Sequence, residues 1–524
     1  MQAKSHPIRT MVIIVLAGTA IRVFTAFSTC IINPDGMVYI QQAKAIYSGD
    51  WHLLKSCVPF VSNYPFFIAG AYSVYPDWVV AARGVSVFFG SLALVPLFFL
   101  VRRFADEKTS FLCLLLYAFI PFLVSGSADL VRDPVCWFFL VWGLYVFVSQ
   151  LGMREKGWKH FLVLLSSYAL MFVAGWARPE ALVVLIVSSV YSLFHSVHSG
   201  DRRKVWVSLS VPLCVAIIFG AGILVFDPSI DIYYKNASAR LSGTLEQYEN
   251  LRSQLETVAD DFRGQPLGSF LSKARNLVWL NAVGVLISGS LAGYFYPYIP
   301  FFLFGFLGLW EKIKKNGEVA YLLALFVTGY ALLFFHVLHF WYFEHRFLYI
   351  VVFPACVLAA LGLGNIRLFA ERKAGWRTPV TVALICLYIA GFGLGKNVKK
   401  RDADKVIFRD IAQYIRAKEK SPKQFIPVLT GDSSLMRLVP FYLNLDAPRG
   451  FCPMYLVTNI KDFGDLMDYV QKEKINYFLW NERSWSKTKV DIHSDQFRRN
   501  FTADGHWFHE SCGDMILFHR DSSG

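Results

Sequence analysis

Charge is scarce in this sequence. Asp, Glu, Lys and Arg together make up 17% of its 524 residues, against about 25% in an average soluble chain, so a wholly water-soluble architecture is excluded. Short chemical motifs are missing too: the chain contains no Cys-x-x-Cys, no His-Glu-x-x-His, no P-loop and no Rossmann glycine pattern. Thiol redox, zincin and ATP-driven chemistry therefore lack their usual marks. Nine cysteines in a chain of this length do not make a disulfide-dense scaffold.

What the sequence has is apolar surface. Hydrophobic residues are 55% and aromatics 16%, with 47 Phe and 14 Trp, and mean hydropathy is +0.42. The formal charge of +14 comes from 52 Lys and Arg against 38 Asp and Glu. These basic residues sit in short clusters between apolar runs, a pattern of membrane topology rather than a nucleic-acid face, and no nucleic-acid partner is expected.

A bilayer core is crossed by roughly 20 apolar residues of helix. Such runs fall near 11–32, 79–101, 109–126, 134–150, 161–177, 180–197, 205–226, 319–338, 346–365 and 377–396. A further stretch, 278–310, is interrupted by Gly293, Pro297 and Pro300. It reads as one broken helix, as two short ones, or as a span with a re-entrant piece.

Lys4 and Arg9, Arg102, Arg103 and Lys108, Arg154, Lys156 and Lys159, Arg202 to Lys204, Lys312 to Lys315, and Arg367 to Lys373 form the short basic loops. If all face the cytoplasm, 278–310 crosses once in net effect. The expectation is an α-helical polytopic membrane protein with about 11 transmembrane helices, a cytoplasmic N-terminus and a small C-terminal extracytoplasmic α/β domain. Its membrane portion is 1–396, with outward loops 33–78 and 227–277, and its soluble portion is 397–524. In the tail, helix-like 405–418 and 463–474 precede strand-sized apolar runs at 424–430 and 475–480, the alternation of an α/β unit. Cys452 and Cys512 both fall in this tail, where an oxidising compartment permits a bridge between them.

The informative charges lie at the outward ends of the spans. Asp35 follows the first span within Asn33-Pro34-Asp35-Gly36, where an acid serves equally as a helix cap. Asp133 follows Arg132 and precedes Pro134, the normal arrangement of a helix start. Arg178 and Glu180 flank Pro179 between two closely spaced runs; charges so near lipid are costly and are kept for pairing or for ligands. His339, Glu344, His345 and Arg346 lie among aromatics at the end of a later span, a place suited to an anionic headgroup. Outward carboxylates and arginines together suit chemistry on a phosphate-containing lipid: a carboxylate deprotonates an acceptor hydroxyl while Arg or a metal balances the leaving phosphate.

At these residues the chain resembles the GT-C superfamily of membrane glycosyltransferases that use polyprenyl-phosphate sugars, in the branch of protein O-mannosyltransferases and lipid A aminoarabinose transferases. The likeness covers roughly 10–370. It rests on Asp35-Gly36-Met37-Val38-Tyr39 with Ala43 and Gly49-Asp50-Trp51, on Arg132-Asp133-Pro134, on Arg178-Pro179-Glu180 and on Arg346-Phe347-Leu348-Tyr349 ahead of Pro354. The resemblance implies transfer of a sugar, with inversion, from a polyprenyl-phosphate donor to a lipid, glycan or protein acceptor at the outer face of a bacterial inner membrane. It implies Asp35 as the acceptor-activating base, Asp133 as a second catalytic or binding acid, and Arg178 and Arg346 as phosphate contacts; Arg132, Glu180, His339, Glu344 and His345 are further binding candidates by their placement at the outward face. Two departures stand out: many members carry a second acid where this chain has Gly36, and a charged residue before a Pro pair where it has Ser62-Asn63-Tyr64-Pro65. Some relatives act without a metal; none is assigned, and a divalent ion stays compatible with the pattern. A lipid-linked glycan transporter and a non-catalytic envelope assembly protein are the rival readings.

Overall fold

Apolar runs become helices because a bilayer leaves every backbone amide and carbonyl to be satisfied within its own segment. The computed structural model describes residues 7–56, 61–153, 158–226, 230–372, 375–419, 424–431, 433–447, 460–485 and 488–520, with the side chains of 55–56, 219–226 and 230–242 outside the described set. Among the described residues eight helices are long and apolar enough to cross a membrane, and two bent pairs raise that number to ten. The chain is a multi-pass integral membrane protein. The expected count of eleven becomes eight to ten; the remaining crossing rests on Arg202–Phe226, much of whose side-chain packing is outside the described set.

The ambiguous stretch separates into a helical run, Pro266–Tyr294, and short apolar turns over Tyr296–Phe306. That run starts at Pro266, inside the segment read as the outward loop 227–277. The rest of that loop is largely one helix, Ile230–Asp261.

Both bends have prolines at the break. Glu107–Phe119 and Pro121–Ala128 meet at 53°, because Pro121 has no N–H to give and its ring crowds the preceding turn. The carbonyls released there find other donors: Arg22 donates to Ala118 O at 3.0 Å and Asn397 Nδ2 to Phe119 O at 3.0 Å. Arg22 also donates to Gly18 O at 2.8 Å and to Ser127 Oγ at 3.2 Å. A buried arginine thus ties three helices through the break that created its acceptor. At the second bend, 75° between His345–Val352 and Cys356–Arg372, Pro354 interrupts the ladder and the Tyr117 hydroxyl donates to Val352 O.

The chain divides into two compact units. One comprises Met1–Ala26, Ser86–Ala128 and Arg132–Lys399, and the other Phe27–Val85, Asp129–Val131 and Lys400–Gly524. The first is the helical unit just described. The second contains helices Pro34–Ser48, Trp51–Ser56 and Tyr64–Val74, all too short to span a bilayer, together with a small sheet.

That sheet has four strands, β1 (Val428–Thr430), β2 (Tyr477–Asn481), β3 (Phe501–His509) and β4 (Gly513–Arg520), in the order β1-β2-β4-β3. Strands β1 and β2 are parallel, and β4 runs antiparallel to both neighbours. The anticipated helices appear as Val406–Lys418 and Phe463–Lys472. Phe408, Ile411, Ala412 and Ile415 are buried along one face of the former, the helical spacing of an amphipathic surface. The core of this small unit is built from Leu429, Leu466, Phe478, Trp485, Phe497 and Phe518. Cys512 is buried, whereas Cys452, its expected partner, lies outside the described residues.

Candidate active site

In the helical unit the site is organised by Arg178. This residue ends a helix at an extended φ of −141°, ahead of Pro179, as steric pressure from the proline ring requires. Its guanidinium reaches Asp133, in the first turn of Asp133–Leu151, with Nε 2.8 Å from Oδ1 and Nη2 3.3 Å from Oδ2. Two parallel contacts form the planar fork that only arginine offers a carboxylate. Glu180 is a looser second partner, its Oε2 3.9 Å from Nη1.

The face of the same guanidinium lies over two rings, 5.3 Å from the centroid of Phe347 and 5.7 Å from that of Tyr349. Arg346 also lies 5.6 Å from the Phe347 centroid and pairs with Glu344. One ring therefore has two cations against it, each with its own carboxylate. Stacking of this kind is worth about 0.5–2 kcal/mol per pair, and it brings Asp133, Arg178, Glu180, Glu344 and Arg346 into one cluster. The buried Tyr349 hydroxyl has no hydrogen-bond partner among the described residues.

The two histidines do not share the Arg178 contacts. His339, in the last turn of Gly317–Phe340, has Nδ1 3.3 Å from Thr244 Oγ1. His345 lies beside Phe343 at 6.5 Å between ring centroids. Arg132 occupies the cap position before Asp133 and is half-buried. Phe347 and Tyr349 stood out in sequence only as members of the Arg346-Phe347-Leu348-Tyr349 run; their role as rings beneath Arg178 is visible only in the fold.

Asp35 belongs to the other unit and sits in the first turn of Pro34–Ser48, half-buried. Asn33 caps this helix, its Oδ1 accepting from Asp35 N at 2.9 Å, and Pro34 supplies the fixed φ of a first helical residue. Asn33 is held in turn by Asp129, whose Oδ1 accepts from Asn33 N at 3.2 Å and from Leu130 N at 2.8 Å. Burial raises the Asp129 carboxyl above its usual range, opposed by these amide hydrogen bonds and by Arg401.

Gly36 limits what can stand beside Asp35. A Cβ built there would lie 2.6 Å from Leu130 Cβ, so the helix start approaches the 129–131 segment too closely for any side chain. A second acid has no room beside Asp35 without movement of that segment.

No group of three His, Cys, Asp or Glu residues able to hold a metal ion occurs among the described residues.

Comparison with known proteins bears on the fold. Residues 59–224 match the family model described as dolichyl-phosphate-mannose-protein mannosyltransferase. No curated protein sequence matches the chain. The apo oligosaccharyltransferase of Archaeoglobus fulgidus is 12% identical with a TM-score of 0.63, the alignment covering 99% of this chain and 75% of that one. ArnT from Cupriavidus metallidurans bound to undecaprenyl phosphate is 11% identical with a TM-score of 0.60, covering 98% of each chain. The archaeal oligosaccharyltransferase AglB, solved with an inhibitory peptide and a dolichol-phosphate, is 12% identical with a TM-score of 0.58, covering 98% of this chain and 74% of that one. The fold is the GT-C type.

Proposed function

We propose that this protein is a glycosyltransferase of a bacterial inner membrane, moving a sugar from a polyprenyl-phosphate donor to a hydroxyl of an extracytoplasmic lipid, glycan or protein. The observation that carries the reading is the pair of guanidiniums, Arg178 and Arg346, against the single ring of Phe347. Such a cluster suits a phosphate attached to an apolar chain, since cations and aromatic surface are offered together. The match to a mannosyltransferase model over 59–224 supports it, because that segment contains Asp133, Arg178 and Glu180. The relatives of the same fold solved with undecaprenyl phosphate and with a dolichol-phosphate add weight.

In this mechanism the Asp35 carboxylate takes the proton of the acceptor hydroxyl as its oxygen bonds to C1 of the sugar. The C1–O bond to phosphate breaks, and the electron pair leaves with the polyprenyl phosphate. Inversion at C1 follows from attack opposite the leaving group. Arg178 and Arg346 balance the charge that grows on that phosphate, while Asp133 keeps the Arg178 fork oriented and the Tyr349 hydroxyl is a further donor. The N-terminus is cytoplasmic and the C-terminal sheet extracytoplasmic in this proposal.

The test is release of polyprenyl phosphate and gain of sugar by acceptor in membranes carrying wild-type protein or Asp35→Asn. Asp35→Asn is expected to reduce transfer at least about a hundredfold, the scale of general-base catalysis, at equal membrane abundance. Undiminished transfer would remove Asp35 as the base. Movement of intact lipid-linked glycan without release of polyprenyl phosphate would replace the transferase with a transporter.

A further inference from the structure

The helical unit contains a cavity of about 330 Å³ between the turn around Pro297–Phe301 and helices Cys356–Arg372 and Thr378–Asn397. Its walls are apolar except for Thr381, Tyr388 and the indole edge of Trp376, and both hydroxyls are already engaged. Thr381 Oγ1 donates to Arg377 O at 3.4 Å, and Tyr388 Oη donates to Pro297 O at 2.9 Å. Since the hydroxyls of the wall are turned to the backbone, the part of a ligand that enters is hydrocarbon.

The mouth has the opposite character. Trp376, 47% exposed, lines the cavity beside Ala370, and its backbone N–H donates to Ala370 O at 3.2 Å. An indole at this position is the usual anchor of a membrane–water interface. Two exposed arginines flank it in sequence, Arg372 and Arg377. Arg367, one turn earlier, is committed to Asp106 at 2.7 Å and Glu371 at 3.7 Å, whereas Arg372 and Arg377 have no ion-pair partner among the described residues. Lys312, Lys314 and Lys315 add charge at the same end: Asn365 on the cavity-lining helix donates to Phe304 O and Leu307 O at 2.9 and 3.1 Å, which ties the start of the basic helix Leu309–Lys315 to it.

We propose that this cavity binds one acyl chain of an anionic glycerophospholipid, with the headgroup phosphate between Arg372 and Arg377. An apolar socket alone would take any lipid tail; the exposed cations Arg372 and Arg377, close in the chain to lining residues Ala370 and Trp376, select a headgroup with net negative charge. The basic loops that surround it are those expected on the cytoplasmic side, so the site is separate from the outward-facing sugar chemistry and independent of that assignment.

The test uses the purified full-length protein in detergent, with retained lipid measured by native mass spectrometry after exposure to phosphatidylglycerol or phosphatidylcholine of matched chains. One retained phosphatidylglycerol per chain is expected, favoured at least about tenfold over phosphatidylcholine, since each basic residue near a lipid phosphate contributes roughly a fivefold effect. Ala370→Phe, which adds a ring at the mouth, is expected to abolish retention. Arg372→Gln combined with Arg377→Gln, both exposed and outside the packed interior, is expected to erase the preference even if Ala370→Phe fails to fold. Equal retention of the two lipids by the wild type, or an undiminished preference in the double arginine variant, would overturn the proposal. Displacement of phosphatidylglycerol by undecaprenyl phosphate at equal concentration would also overturn it, and would reassign the cavity to the donor lipid.

Discussion

Arg178 and Asp133 meet as a fork, Nε 2.8 Å from Oδ1 and Nη2 3.3 Å from Oδ2, with side chains only 4% and 1% exposed. Neither charge can turn to water if the other is removed. Asp133→Ala therefore leaves the buried guanidinium with only the looser Glu180, at a cost of up to about 3–5 kcal/mol, while Arg178→Lys retains a charge but not the fork. Thermal unfolding in detergent should show a large loss for Asp133→Ala and a smaller one for Arg178→Lys. Transfer activity should fall in both, and to a similar degree, if orientation of the cation is what matters.

Gly36 is the sharpest constraint beside Asp35, because a Cβ there falls 2.6 Å from Leu130 Cβ. Gly36→Ala is expected to destabilise by about 1–3 kcal/mol through overpacking. Gly36→Asp, which adds a second acid beside Asp35, should cost more and should raise transfer activity no higher than the wild type. A gain of activity in Gly36→Asp would show that the 129–131 segment yields easily.

These residues also mark how far the sequence could be read. The transmembrane character and most span positions were legible, because hydrocarbon thickness imposes a length that hydropathy displays directly. The bends at Pro121 and Pro354 were not read, since a proline in a span says only that acceptors are released and leaves unsaid that Arg22, Asn397 and Tyr117 take them up. Arg178 and Glu180 read as charges kept for pairing or for ligands and Asp133 as the start of its helix, and the resemblance supplied their roles. The placing of two guanidiniums against Phe347 needed tertiary structure, as did the division of the His339–Arg346 segment. In the tail, the paired β3 and β4 escaped notice because β3 is an edge strand with polar residues on both faces, so its alternation is weak.

Asp129 offers a test of what holds Asp35. Its Oδ1 accepts from the amides of Asn33 and Leu130, and an asparagine oxygen can do the same without a buried charge. A carboxyl whose folded value is raised by burial is an unfavourable charge when ionised. Its penalty is present above the folded value and disappears as pH falls below the unfolded one. Asp129→Asn is therefore expected to leave stability at pH 7 equal or higher and to retain activity. Asp129→Ala removes both acceptances and should lower both stability and transfer; melting curves and transfer assays on the pair decide the point.

Lys44 gives the chain a pH dependence of calculable sign. It is 5% exposed on helix Pro34–Ser48, its ammonium donates to Leu445 O, and Nζ lies 5.9 Å from the Trp78 ring centroid. Burial lowers its pKa from 10.5 to about 8, with Asp446 opposing the shift. Below about pH 8 the folded protein holds an ammonium that burial disfavours, so the destabilising contribution is complete there. As pH rises from about 8 to 10.5 the folded state releases its proton before the unfolded state does, and stability climbs. A shift of this size corresponds to roughly 3 kcal/mol at about 1.4 kcal/mol per unit. Lys44→Met keeps the apolar stem and removes the charge, so its melting temperature at pH 7.5 should exceed that of the wild type. The difference should shrink steadily toward pH 10.5; a difference that stays constant across this range would mean that Lys44 is already neutral or well solvated in the folded protein.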